Sequence, residues 1–204
     1  MEKNTAAEKN IINAARKVFY RKGFQNATMR DIAAEGKTNL AMVNYYFRSK
    51  ENLFYIIFDE TWSLLLKKII KSLEREWTTV PEKIECLVND YFDVFMENPY
   101  MPPFIMGELI RDPEKVANRI KEQVEKQNIL EVFNRQLAEG AKQGKIKAVS
   151  GVSIFVNLLS LIIFPILAKP IFQQTLSLSP GELDDLLCSR KQEIIEIILN
   201  SLRL

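Results

Sequence analysis

Apolar positions along this chain recur at helical spacing, and no stretch alternates apolar and polar residues long enough to require a strand. From about Thr5 to Lys22, the residues Ile11, Ala15, Val18 and Phe19 form one apolar stripe. Gly23 supplies a left-handed stop, and Phe24 can fold back on the last turn. A short second helix is predicted from Thr28, where Thr28-Met29-Arg30-Asp31 reads as a capping box, and Gly36 ends it. A third starts at the N-cap Asn39 and runs through Leu40 to Phe47, with Val43 and Phe47 as its core positions. Arg48-Ser49-Lys50 interrupts the pattern. Ser49 then caps a long fourth helix that extends to about Trp77.

Further on, Pro81 fits the first turn of a fifth helix that ends before Asn98-Pro99. A short helix reaches Ile110, and a long one runs from Pro113 to about Gln143, where Gly144 stops it. Val152 to Ala168 is apolar nearly all round, with Pro165 expected to kink or end it. That run is shorter than the ~20 residues a membrane span needs and holds Ser153, Asn157, Ser160 and Pro165, so burial in a bundle is the expectation, not a membrane. Ser179-Pro180-Gly181-Glu182 opens a last helix reaching almost to Leu204. The predicted fold class is all-α: an N-terminal three-helix helix-turn-helix head over residues 1–50 and a larger helical bundle over 51–204. About nine helices are expected in total.

Composition narrows the function. Of 204 residues 47% are apolar, enough for a real core, and none is histidine. Without His there is no Ser-His or Cys-His dyad, no imidazole metal site and no common general base. No Gly-rich phosphate cradle or metal cluster is visible, so the chain is expected to be no enzyme and to hold no cofactor and no metal. Cys86 and Cys188 share no ligand spacing and read as reduced cysteines, and Met1 to Asn10 is polar and charged, so a cytoplasmic protein is expected. The net charge of +2 conceals an asymmetry. Residues 1–50 hold ten Lys/Arg against four acids, while the rest of the chain is net acidic. A basic head on an acidic body suits nucleic-acid binding.

Two helices joined by a three- to four-residue turn containing Gly make a helix-turn-helix. The run Thr28-Met29-Arg30-Asp31-Ile32-Ala33-Ala34-Glu35, followed after the turn by Asn44-Tyr45-Tyr46-Phe47-Arg48-Ser49-Lys50-Glu51-Asn52-Leu53, resembles the DNA-binding domain of the TetR family of bacterial transcriptional regulators. The spacing matches without a gap, Phe19, Gly23 and Phe24 also fit, and the likeness covers about a quarter of the chain. Two departures stand out. Lys37 and Thr38 occupy the turn where the family usually has Gly-Val, with Gly36 one residue early. Leu40, Ala41 and Met42 replace the lysine, glycine and threonine that many relatives carry.

The third helix would lie in the major groove, where its early exposed residues reach base edges. Leu40, Ala41 and Met42 are expected against thymine methyls, and Asn39 or Asn44 toward adenine, with Tyr45 beside them. Tyr46 is expected to offer its hydroxyl to a phosphate, Thr28 and Arg30 to meet the DNA backbone, and Lys50 to hold a phosphate at the start of the fourth helix. The resemblance further implies a homodimer formed by the last two helices, for which Leu183, Leu187, Ile194, Ile198 and Leu202 are the candidate contacts. It also implies an apolar effector pocket in the body, for which Trp62, Tyr91, Phe95, Met96, Met106, Asn128 and Asn157 are candidates. The implied function is a repressor that grips a palindromic operator as a homodimer and is released by a small lipophilic effector. The alternative is a helical ligand-binding or interaction protein without sequence-specific DNA binding.

Overall fold

The structure, a computed structural model, describes residues 6–73, 79–124 and 129–204. Every regular element among them is a helix: α1 (Ala6–Asn26), α2 (Met29–Glu35), α3 (Leu40–Phe47), α4 (Lys50–Leu73), α5 (Val80–Glu97), α6 (Met101–Arg111), α7 (Pro113–Val124), α8 (Ile129–Lys142), α9 (Gly151–Leu167), α10 (Lys169–Thr175) and α11 (Pro180–Ser201). Local chemistry sets most of the starts. Thr28, Thr79 and Ser179 each accept from the backbone amide three residues on, while the acid there accepts from the cap amide, so two free donors are satisfied reciprocally. Asn39 and Ser150 cap α3 and α9 through their side-chain oxygens.

Eleven helices among the described residues exceed the nine expected, for two reasons. The predicted helix from Pro113 to Gln143 is described as α7 and α8, with residues 125–128 outside the described residues. The apolar run does not end at Pro165, which α9 accommodates; it ends at Leu167, and α10 follows at an angle of 55°. Pro170 explains that break, because it has no amide proton and its ring clashes with the carbonyl four residues back, whereas a helix tolerates it in the first turn. No single helix among the described residues is long and apolar enough to cross a membrane.

The chain divides into two compact units. The first holds the described part of Met1–Leu64 together with Pro103–Arg119; the second holds Leu65–Pro102 and Ile120–Leu204. The boundary expected at residue 50 is therefore corrected: the unit that contains the head also takes in the start of α4 and a returning stretch of α6 and α7. Aromatic packing accounts for this. Phe54 of α4 meets Phe19 of α1 edge-on at 5.1 Å between ring centroids and Phe104 of α6 at 5.0 Å, and Tyr20 lies 5.0 Å from Phe104. Burying each such ring stabilises by roughly 1.5–3 kcal/mol, so the head's core is incomplete without α6.

In the second unit α5 packs on α11, and α9 on both α8 and α11. Leu87, Val88, Phe92 and Phe95 of α5 are buried there with Leu158 and Ile162 of α9 and Leu187 and Ile194 of α11. The stripe that α5 presents recurs at three- and four-residue spacing, which is what a helix against a bundle requires.

Candidate nucleic-acid interface

The angle between α2 and α3 depends on a close approach and a strained residue. Gly36 has an ordinary φ of −79° but is buried, and a Cβ there would lie 3.2 Å from the Cβ of Ala14 and 3.3 Å from the Ile32 carbonyl. Asn10 fixes the same point by donating to the Gly36 carbonyl at 2.7 Å. The left-handed conformation falls one residue later, on Lys37, with φ 49°. Lys37 thus does the conformational work of a glycine, and the amides of Lys37 and Thr38 close the turn on the carbonyls of Ala34 and Ala33 at 3.1 and 2.9 Å. The departure from the family's turn is accommodated by backbone strain at one residue, Lys37.

On α3, Val43 and Phe47 point inward and are buried, which leaves Ala41, Asn44 and Tyr45 exposed, with Tyr45 at 78%. Arg48, seven residues after Ala41, continues the same face and is exposed too. Leu40, Met42 and Tyr46 flank that face half-buried, and Tyr45 and Tyr46 meet edge-on at 5.2 Å. Asn39 is exposed, but its side-chain oxygen already accepts from the Met42 amide at 2.8 Å. Of the two asparagines, Asn44 is the one free of a capping duty.

Arg48 is absent from the sequence-based candidates. It follows the last turn of α3 with φ 60° and ψ −42°, and the amide of Ser49 closes a tight turn on the Phe47 carbonyl at 2.6 Å. Its signal in the sequence was its register, in line with Ala41, Asn44 and Tyr45. The free cations around this face can be identified by elimination. Arg16 pairs with Glu60, Lys17 and Arg21 with Glu35, and Lys22 with Asp31. Arg30, Lys37 and Arg48 are exposed and make no ion pair among the described residues. They stand at the start of α2, in the α2–α3 turn and after α3.

Two expected phosphate contacts need correction. Lys50 is half-buried and points back into the protein, donating to the carbonyls of Phe24 at 2.8 Å and Ala27 at 2.9 Å, with its ammonium 4.3 Å from the centre of the Phe24 ring. Those carbonyls are left over where Gly23, at φ 69°, breaks α1, so the charge satisfies a helix end instead of facing solvent. Thr28 is exposed, but its hydroxyl donates to Asp31 at 2.8 Å while accepting that residue's amide at 3.1 Å. The hydroxyl proton is already committed, so a contact with phosphate would require breaking the cap. Lys22 and Thr28 together hold the Asp31 carboxyl down at about 2.

A polar cluster ties α4 to α6 inside this unit. Glu108 is 1% exposed and receives Arg111 through Nε at 2.7 Å and Nη2 at 2.6 Å, and the Tyr55 hydroxyl donates to it. Nη2 of Arg111 also reaches the Tyr55 oxygen at 3.0 Å. Burial, reinforced by the bond to Glu108, pushes the Tyr55 phenol up, and the bond to Glu108 pushes Arg111 up as well. The arrangement gives the buried Glu108 carboxyl a guanidinium partner and a phenol donor.

The remaining candidates are not gathered into one place. Trp62 and Met106 belong to the first unit, Tyr91, Phe95, Met96 and Asn157 to the second, and Asn128 lies outside the described residues. Tyr91 and Phe95 meet at a tilt, 5.7 Å between ring centroids, within the core of their own bundle, and burial pushes the Tyr91 phenol up. Asn157 is exposed. Three clefts, lined at Phe24/Arg111, Arg48/Arg119 and Thr79/Gln136, take none of these seven residues. The five expected dimer contacts also need correction: Leu183, Leu187, Ile194, Ile198 and Leu202 are each at most 3% exposed in the single chain. They face their own bundle. Apolar side chains left outside on the same two helices are Val152, Val156, Phe164 and Leu167 of α9 and Leu186 and Ile197 of α11.

Comparison with known proteins agrees with this architecture. Residues 11–55 match the model of bacterial regulatory proteins of the tetR family, and residues 81–198 match that of the tetracyclin repressor-like C-terminal domain. YttP of Bacillus subtilis, a probable HTH-type transcriptional regulator, is 25% identical over 175 residues, 84% of this chain and 83% of its own. The crystal structure of HlyIIR, a hemolysin II transcriptional regulator, is similar at 25% identity and a TM-score of 0.60, covering 90% of this chain and 96% of that one. FadR of Bacillus subtilis in complex with stearoyl-CoA shares the fold, with a TM-score of 0.64 at 17% identity over 95% of this chain and 98% of that one.

Proposed function

Given that this chain belongs to the TetR family of bacterial regulatory proteins, and is thus a DNA-binding transcriptional regulator, we propose that it is a repressor. It binds a palindromic operator as a homodimer and is released by a small lipophilic effector. The observation that carries the operator reading is the exposed face of α3. Ala41, Asn44, Tyr45 and Arg48 share it, and beside it, at the start of α2 and in the α2–α3 turn, stand Arg30 and Lys37, unpaired among the described residues. Ala41 suits a thymine methyl, Asn44 suits adenine, and the cations suit phosphates.

The homodimer reading is supported by the apolar side chains left outside on α9 and α11, which a second copy would cover. The effector reading is supported by α4, one unbroken helix whose first part belongs to the unit with α3 and whose last part belongs to the other. A ligand preferring one orientation of α4 would change the presentation of α3. Long-chain acyl-CoA thioesters are the first compounds to titrate, because FadR, which shares this fold, is seen with stearoyl-CoA.

The test is selection of bound sequences from random duplexes, followed by binding measurements on the selected site. A two-fold symmetric site is expected. Asn44→Ala should relax preference at one base pair of each half-site and cost ~1–3 kcal/mol there, with little loss on unrelated DNA. Equal loss on selected and unrelated duplexes would overturn the assignment of Asn44 to base readout.

A further inference from the structure

A cleft of about 390 Å³ opens in the first unit between the end of α1 and α6. Phe24, Phe54 and Phe104 form its apolar wall, with ring centroids 4.9 Å apart for the first pair and 5.0 Å for the second. Two glycines border it: a Cβ on Gly23 or on Gly107 would meet nothing within 4 Å, so the missing side chains leave room instead of relieving a clash. Ile110, at the rim, is 79% exposed, an apolar side chain with no cover.

The polar part of the cleft is equally defined. Arg111 stacks its guanidinium 4.2 Å from the centre of the Phe24 ring and is oriented by Glu108 and Tyr55 through Nε and Nη2. Its Nη1 donates to none of the described residues. Lys22, already paired with Asp31 at 2.8 Å, and Gln25 line the cleft as well.

We propose that this cleft is a binding site for a small aromatic carboxylate. Phe24 is half-buried and carries the stacked guanidinium at the open side, with the buried Phe54 and Phe104 closing the apolar wall behind it, an arrangement that suits a flat apolar ligand bearing an anion. Nη1 supplies a donor whose natural partner is an anionic oxygen, held in place before binding because the other nitrogens are engaged. An aliphatic amine would meet like charge at Arg111 and Lys22. The volume falls within the range of small-molecule sites.

The probe is 2-naphthoate, followed by its own fluorescence anisotropy as full-length protein is added. Saturable binding of one equivalent per chain is expected. Gly107→Leu, on an exposed helical position where the new side chain reaches into the cleft, should weaken it by roughly tenfold or more. Gly181→Leu, equally unobstructed but at the start of α11, should leave it within about twofold, and it controls for a general effect of added apolar surface. Naphthalene-2-methanol, the same ring system without the charge, should bind at least about tenfold more weakly. Absence of saturable binding, equal binding to Gly107→Leu, or equal binding of the alcohol would each overturn the proposal. No DNA enters these measurements, so failure here leaves the operator reading standing, and loss of operator binding leaves this site standing.

Discussion

Lys50 and Arg48 are two residues apart, both basic, and do opposite things. The Lys50 ammonium is held by the carbonyls of Phe24 and Ala27, whereas Arg48 projects from a tight turn without a partner among the described residues. Lys50→Ala is therefore expected to cost about 1.5–3 kcal/mol of stability, the scale of a charged hydrogen bond, while leaving the dependence of DNA affinity on salt unchanged. Arg48→Ala should do the reverse, leaving the melting curve in place and lowering the slope of log affinity against log salt by about 1.8 for the dimer, about 0.9 for each subunit's contact. Thermal denaturation and a salt titration of each variant separate the two. A second residue-scale expectation concerns the α2–α3 turn. Lys37 sits at φ 49°, so Lys37→Gly should stabilise the fold by roughly 1 kcal/mol in denaturant unfolding, whereas Gly36→Ala should destabilise it by pressing a methyl against Ala14. None of this was readable from residue type. A lysine in sequence looks the same whether it faces water or the open end of a distant helix.

At the scale of the helices, the sequence was most legible where one residue settles a backbone group. Thr28, Asn39 and Ser179 announce α2, α3 and α11 because their side chains answer amides only a few residues away. The inward face of α3 was legible for a similar reason, since Val43 and Phe47 are the strongest apolar pair at helical spacing. The outward face of α11 was not. Its dominant stripe, from Leu183 to Leu202, suggests an interface between chains, yet the strongest stripe is the one a helix gives first to its own bundle. What remains for a second copy is the weaker set, Leu186 and Ile197, together with Val152, Val156, Phe164 and Leu167 of α9. The break at Ala168 was hidden by Pro165, a more conspicuous proline that the helix absorbs.

At the scale of the whole molecule, those exposed residues make oligomerisation measurable. Stability should rise with protein concentration, because a partner that binds only the folded chain stabilises it by mass action. Val156→Asp and Phe164→Asp should each shift sedimentation toward the single chain, weakening self-association at least about tenfold, while leaving helix content in place because both side chains are already outside. An unchanged sedimentation profile would move the contact elsewhere.

The aromatic core around Phe54 carries a consequence for anyone building chimeric regulators. Because Phe54 packs on Phe19, and Phe104 returns from a later stretch of chain to sit against Tyr20 and Phe54, a graft of residues 1–50 onto a foreign body would leave Phe19 and Tyr20 without the rings that cover them. A transplant that keeps its recognition properties must carry two pieces of polypeptide, one from each side of an intervening forty residues or so. Recombination that shuffles heads among bodies should accordingly succeed only where donor and recipient agree at Phe104, Glu108 and Arg111.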